Sequence, residues 1–308
     1  FEIKNNRDFR YLTFNNEGSL IKSDSTGETD FYYSILNNTG AVDLRQGSLT
    51  LGNGGRSDGG TFKLAADTVA QWNGDYVFEN NATFTDEGTV LVSGGNINFN
   101  QEAVELSNLV INSGVLNTTG TTNINNDFNL SYGTLNTTGR INLLGENNEW
   151  SGGEFGGSGI INVDSGTTLN ITQGYSKYLK DDITLNNEGT IIWDGNNHIY
   201  GVYNSNNQVI NNKDKGVFEI KNNRDFRYLT FNNEGTLIKF GTTGETDFDD
   251  SIFNNTGTVD LRQGSLDFNN GKLVQAAGSI QENGGTLDTS DTTYIEDNQL
   301  ANFKIISA

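Results

Sequence analysis

The sequence predicts an all-β protein, a right-handed parallel β-helix (β-solenoid) of about 19–22 residues per coil and roughly 15 coils over its 308 residues. Three observations carry that expectation. Gly-x-apolar units recur at a short spacing, strand-length segments alternate apolar with polar residues, and there is no proline anywhere in the chain. Each proline would remove a backbone donor from a hydrogen-bonded ladder, so its absence suits strands stacked without interruption.

The Gly-x-apolar units begin at Gly18, Gly40, Gly88, Gly114, Gly133, Gly159, Gly189, Gly235 and Gly257. Two neighbouring stretches, V-L-N-T-T-G-T-T-N-I (115–124) and T-L-N-T-T-G-R-I-N-L (134–143), lie 19 residues apart, and Gly18 to Gly40 and Gly235 to Gly257 each span 22. That period matches one turn of a parallel β-helix. A leucine-rich repeat shares the spacing but needs a helix and an L-x-x-L-x-L pattern, and neither is present. Within a coil, T-V-L-V (89–92), N-I-N-F-N (96–100), N-L-V-I-N (108–112) and T-L-N-I-T (168–172) place Val, Ile, Leu and Phe on one side and Asn and Thr on the other. Between strands stand N-N-E-G (15–18, 186–189, 232–235) and N-N-T-G (37–40, 254–257), read as corners because Asn and Gly accept positive φ at low cost. No window shows helical spacing with helix formers, so almost no helix is expected. Stacked at ~4.8 Å, the coils would form a rod about 70 Å long.

A longer period overlies the short one. Residues 1–49 recur at 218–266 with eight of 49 positions changed, among them Tyr32 and Tyr33, which become Asp249 and Asp250. An exchange of aromatic for acidic residues marks exposed positions. On this reading residues 1–308 form a single continuous solenoid in which 1–217 is one long repeat and 218–308 the start of the next. Opening inside a repeat at Phe1, the sequence reads as a fragment of a larger protein. The stretch Tyr294–Ala308 departs from the corner pattern and is read as a cap or an incomplete coil.

Composition narrows the functional classes. Apolar residues are only 33% of the chain and aromatic residues 10%, which suits a thin core extended along an axis. The formal charge of −20 repels phosphate backbones and anionic lipid, so neither nucleic acid nor membrane insertion is expected, while divalent cations are permitted. Absence of cysteine excludes disulfides, Cys-bound zinc and thiol chemistry, and suits an exported protein.

The phrases F-N-N-E-G-T-L-I-K (231–239), F-N-N-T-G-T-V-D-L-R-Q-G-S-L (253–266) and S-G-T-T-L-N-I-T (165–172) resemble repeats of very large secreted bacterial β-helix proteins, of the cyanobacterial giant surface or matrix type. More distantly they are similar to filamentous-haemagglutinin-like adhesins and autotransporter passengers. The resemblance implies a right-handed β-helix displayed outside the cell, an extracellular structural or adhesive rod of a surface, sheath or matrix protein that self-assembles into filaments. It carries no functional residue with it. The alternative is a carbohydrate-binding or polysaccharide-degrading β-helix.

Candidate chemistry is sparse. His198 is the only histidine, with Asp194 its nearest acid in sequence, and a surface residue is the simpler reading. The acidic pairs Asp181-Asp182 and Asp249-Asp250 point to opposite faces of a strand, so neither supplies the facing carboxyls of a glycosidase by itself. No enzyme is expected, and no cofactor beyond weak Ca²⁺ binding between acidic corners such as the one at Glu17. Exposed aromatic rings are the best lead: Tyr175, Tyr178, Tyr200 and Tyr203, with Tyr32 and Tyr33, are positioned to stack on a glycan or on a neighbouring rod. The expected partners are further copies of the chain, end to end or side by side, and surface polysaccharide.

Overall fold

The computed structural model describes residues 1–290 together with the backbone of strands Tyr294–Glu296 and Ile305–Ser307. Apart from those two strands, the tail read as a cap at 294–308 lies outside the described residues. The chain forms two compact units, Phe1–Gly145 and Glu146–Ala308. Each is a β-solenoid with no helix among the described residues, wound at about 21 residues per turn, about 14 turns in all. Every strand pairing described below is parallel, as the expected winding requires.

In the first unit each turn contributes three short strands, one to each of three faces. Val69–Trp72 lies between Ser48–Leu51 and the start of Thr89–Asn100, so Leu49, Ala70 and Val90 stack in one column and Leu51, Trp72 and Val92 in another. Tyr76–Glu79 lies likewise between Gly55–Asp58 and the second half of Thr89–Asn100. That long strand crosses from one face to the next through an irregularity at Ser93–Asn96, where Gly95 has φ 63°. The second unit repeats the scheme, with Ile160–Val163, Thr184–Asn187, Val209–Asn212, Thr230–Asn233, Ile252–Asn255 and Lys272–Gln275 stacked in order on one face.

Turn length varies more than 19–22 residues. Ala103 pairs with Thr121 and Thr190 with Val217, so turns run from 18 to 27 residues. The longest accommodates the loop at 201–207, which bulges outward and carries exposed Tyr203 without disturbing the registers on either side.

The interior is one or two side chains wide and heavily aromatic. Phe226, Phe248 and Phe268 stack in consecutive turns at 4.8 and 5.3 Å with nearly parallel planes. In that second-unit column like lies on like from turn to turn, so each ring is covered by the next. In the first unit Phe62, Trp72, Tyr76 and Phe78, all inaccessible to solvent, meet edge-on or tilted within a single turn.

The Asn-Asn pairs correct the corner reading. They are strand residues, and Gly18, Gly40, Gly189, Gly235 and Gly257 are not in the left-handed region. At all of these but Gly18, glycine is needed for close approach: a Cβ on Gly40 would sit 2.1 Å from the carbonyl oxygen of Gly18, and one on Gly257 2.2 Å from that of Gly235. The left-handed positions are elsewhere, at Tyr11, Tyr33, Tyr228, Asp250 and Asn270 among others.

Each Asn-Asn pair puts one amide inside and one outside. The inner column runs Asn187, Asn212, Asn233, Asn255 and Gln275, each Nδ2 donating to the next side-chain oxygen at 2.8–3.0 Å. The outer column runs Asn162, Asn186, Asn211, Asn232 and Asn254 at 2.7–3.0 Å, and here each Nδ2 donates to the preceding residue. Side by side, the two columns therefore carry opposed dipoles. The first unit follows the same rule, Asn16 donating forward to Asn38 and Asn37 backward to Asn15. Buried amides cost stability unless paired, and stacking pairs every interior member of the column.

Candidate functional site

The most chemically varied surface of the second unit is built from three short motifs one turn apart: His198-Ile199-Tyr200, Asp225-Phe226-Arg227 and Asp247-Phe248-Asp249. The apolar middle residue of each points into the core and is fully buried. Alternation then sends both flanks outward, and parallel stacking lines them up as two columns. One holds His198, Asp225, Asp247 and Asp267. The other holds Tyr178, Tyr200, Arg227 and Asp249.

In the acidic column Asp225 is the anchor. Its backbone N–H donates to His198 Nδ1 at 3.0 Å, its Oδ2 accepts Arg227 Nη2 at 2.9 Å, and its Oδ1 accepts the Asp247 backbone N–H at 3.3 Å. His198 is half-buried, and burial holds its pKa below the usual histidine value despite the nearby Asp225 carboxylate. The next turn is less balanced. Carboxylate oxygens of Glu245, Asp247 and Asp267 lie within 4.8 Å of one another, and Asp247 Oδ1 is buried without a hydrogen-bond partner. Burial, reinforced by the negative charge of Asp225, Glu245 and Asp267, pushes the Asp247 carboxyl up to about 7. Such a group either shares a proton or draws in a hard cation with oxygen ligands. The first copy has Glu28, Asp30 and Thr50 in these places, and there the Thr50 hydroxyl donates to Glu28 instead.

In the aromatic column the Tyr178 and Tyr200 rings stack at 5.3 Å. Lys180 Nζ lies 5.0 Å from the Tyr178 ring centre, and Arg227 lies 5.9 Å from that of Tyr200. Each of these rings thus packs against the other and lies beside a cation, which leaves less ring face for a sugar. Tyr203 stays 67% exposed and meets Tyr228 edge-on at 5.0 Å, while Tyr175 is 63% exposed on a loop. The four tyrosines singled out from sequence thus divide into one stacked pair and two exposed rings.

Neither acidic dipeptide forms a facing pair of carboxyls. Asp181 Oδ2 accepts the Gly157 backbone N–H, and Asp182 Oδ1 accepts the Asn207 amide. Asp249 faces Arg227 Nε at 3.4 Å, whereas Asp250 is exposed at a left-handed corner, φ 48°. Sequence reasoning missed the column Asp225, Asp247, Asp267, whose only signal is recurrence at 22 and 20 residues.

No family of known proteins matches the chain, and no curated protein or solved structure does so either.

The first unit carries a second aromatic surface. Tyr11 and Tyr33 are 73% and 55% exposed, and their rings lie parallel at 5.6 Å. Tyr32 packs edge-on against Tyr33 at 4.4 Å, and the Arg10 guanidinium lies 5.1 Å from the Tyr32 ring centre. Three tyrosines and an arginine thus share one corner, where the second copy has Tyr228, Asp249, Asp250 and Arg227.

Proposed function

We propose that the chain is part of an extracellular structural or adhesive protein of the cell surface, sheath or matrix that acts by repetition and by association with further copies of itself. One observation supports this reading above others. The outward amides of successive turns are engaged with one another along the stack, as in the column Asn162 to Asn254. A surface of that kind lends stiffness and a repeated pattern. Electron microscopy of the purified chain tests it: filaments or sheets are expected, and particles that never assemble would contradict it.

A second reading, a carbohydrate-active β-helix, is favoured by the Glu245, Asp247 and Asp267 group, in which one raised carboxyl lies beside two others. Ca²⁺ held there by carboxylate oxygens, or proton transfer by Asp247 to a glycosidic oxygen, is the chemistry that reading implies. Incubation with acidic and neutral polysaccharides, with and without Ca²⁺, distinguishes the two readings. Cleavage that disappears in Asp247→Asn would reverse their ranking.

A further inference from the structure

We infer that the tyrosine corner of the first copy, formed by Arg10, Tyr11, Tyr32 and Tyr33, docks on the acidic corner of the second copy, formed by Tyr228, Asp249 and Asp250, in another molecule of this chain. The inference rests on the structural reading above and names the surfaces that make the contact.

The duplication itself supplies the comparison. Of the eight differences between the copies, Leu36/Phe253 is internal and fully buried in both. Ser19/Thr236, Ser25/Thr242 and Ala41/Thr258 exchange one small side chain for another, and Ser23/Phe240 with Asp24/Gly241 reworks a different corner, where Lys221 lies 5.0 Å from the Phe240 ring centre. Only Tyr32/Asp249 and Tyr33/Asp250 exchange an exposed ring with a hydroxyl donor for a carboxylate acceptor.

The fold does not ask for tyrosine at this corner. Tyr33 and Asp250 occupy the same left-handed conformation, φ 50° and 48°. Bulky side chains are disfavoured there and aspartate is among the residues that tolerate it. Tyr11 repeats the anomaly one turn earlier at φ 58°. Two exposed rings are thus held in backbone positions that suit them poorly, which is a characteristic of binding surfaces.

The two corners are complementary. The tyrosine corner offers the phenols of Tyr11, Tyr32 and Tyr33, of which Tyr32 and Tyr33 are hydrogen-bonded to each other, and a guanidinium that pairs with Asp8 at 3.0 Å. On the acidic corner Arg227 pairs with Asp225 and Asp249, while the exposed Asp250 carboxylate faces outward from that network. A groove whose polar lining includes Asn204, Asn206, Tyr228, Asp250, Asn270 and Lys272 lies beside it. Phenol to carboxylate is a charge-assisted hydrogen bond, and tyrosine and arginine are the residues that dominate protein contacts. Because unlike corners meet, the contact is heterologous, and two molecules joined by one such contact still present one unused corner of each kind.

Sedimentation velocity on three preparations tests this. Y32D/Y33D and D249Y/D250Y each place in one copy residues the other copy already carries, so both variants keep the parent melting temperature. The parent is expected to associate progressively with concentration, and each variant alone to associate at least about tenfold more weakly. Mixing the variants one to one restores association, since one then presents two acidic corners and the other two tyrosine corners. If the parent assembles and the variants assemble equally well, the docking surface is rejected while the structural reading stands. A mixture that stays as weakly associated as its components also rejects it. So does a parent that is monomeric throughout, including one that binds polysaccharide through the tyrosine corner.

Discussion

Replacing Asn212 by alanine removes the middle of the inner amide column, and the structure gives the size of the loss. Asn212 is fully buried; its Nδ2 donates to Asn233 Oδ1 at 2.8 Å and to the Thr236 carbonyl at 3.0 Å, and its Oδ1 accepts Asn187 Nδ2 at 2.8 Å. Three bonds at a net ~1 kcal/mol each, plus the cost of leaving Asn233 Oδ1 dry and unpaired, amount to about 3–5 kcal/mol. The neighbouring Asn211→Ala is the control. Its amide makes comparable bonds in the half-buried outer column, where water takes over the lost partners, so it costs less than about 1 kcal/mol. Urea unfolding, with amide hydrogen exchange of strands Thr184–Asn187, Val209–Asn212 and Thr230–Asn233, measures both. In a stack with nearest-neighbour coupling the loss is local, so protection falls first in these three strands. Equal costs for the two variants, or a cost below about 1 kcal/mol for Asn212→Ala, would refute the account of the columns.

Three further outcomes follow from particular side chains. Lys22 is 2% exposed and its Nζ has no hydrogen-bond partner, so Lys22→Met is expected to stabilise by about 1–3 kcal/mol in urea unfolding. The equivalent Lys239 donates to the Asn222 carbonyl at 2.6 Å, and Lys239→Met is expected to gain nothing. The inner column starts at Asn187, whose Oδ1 is buried and unpaired beneath Val163. Val163→Asn extends the column by one member and is expected to cost no more than about 1 kcal/mol, against the ~1–3 kcal/mol of an unpartnered buried amide. For Asp247 the folded pKa, about 7, lies above the ordinary 3.8. Its contribution to stability is therefore complete below the ordinary value and is lost as pH rises to about 7. The melting temperature of the parent relative to Asp247→Asn should fall across that window, and a constant difference would show that the carboxyl titrates normally.

The winding was legible because three independent signals agree on it: the Gly-x-apolar spacing, the two-residue alternation and the lack of proline. The asparagine pairs were misread because Asn-Asn-x-Gly is also turn chemistry. What distinguishes the two cases is that these asparagines recur in step with core residues such as Leu185, Ile210 and Phe231, a feature of register and not of local propensity. Exposure of Tyr32 and Tyr33 was readable, since their replacement by aspartate in an otherwise repeated segment leaves little else. The Asp225, Asp247 and Asp267 column was not, because turns of unequal length conceal which residues come to lie side by side. Nor could sequence foresee that Tyr178 and Tyr200 would cover each other.

The central claim is parallel stacking in the registers described, and engineered disulfides test it directly in a chain that has no cysteine of its own. Asn211 and Asn232 are partners on adjacent turns. Adjacent strands lie ~4.8 Å apart, within disulfide reach, whereas strands two turns apart lie ~9.6 Å apart, beyond it. Oxidation of the double variant Asn211→Cys, Asn232→Cys should therefore form an intramolecular disulfide in the native protein, detected by mass spectrometry after alkylation. The variant Asn211→Cys, Asn254→Cys, which skips a turn, should keep both thiols free. Crosslinking of the second pair in place of the first would contradict the registers and the winding with them.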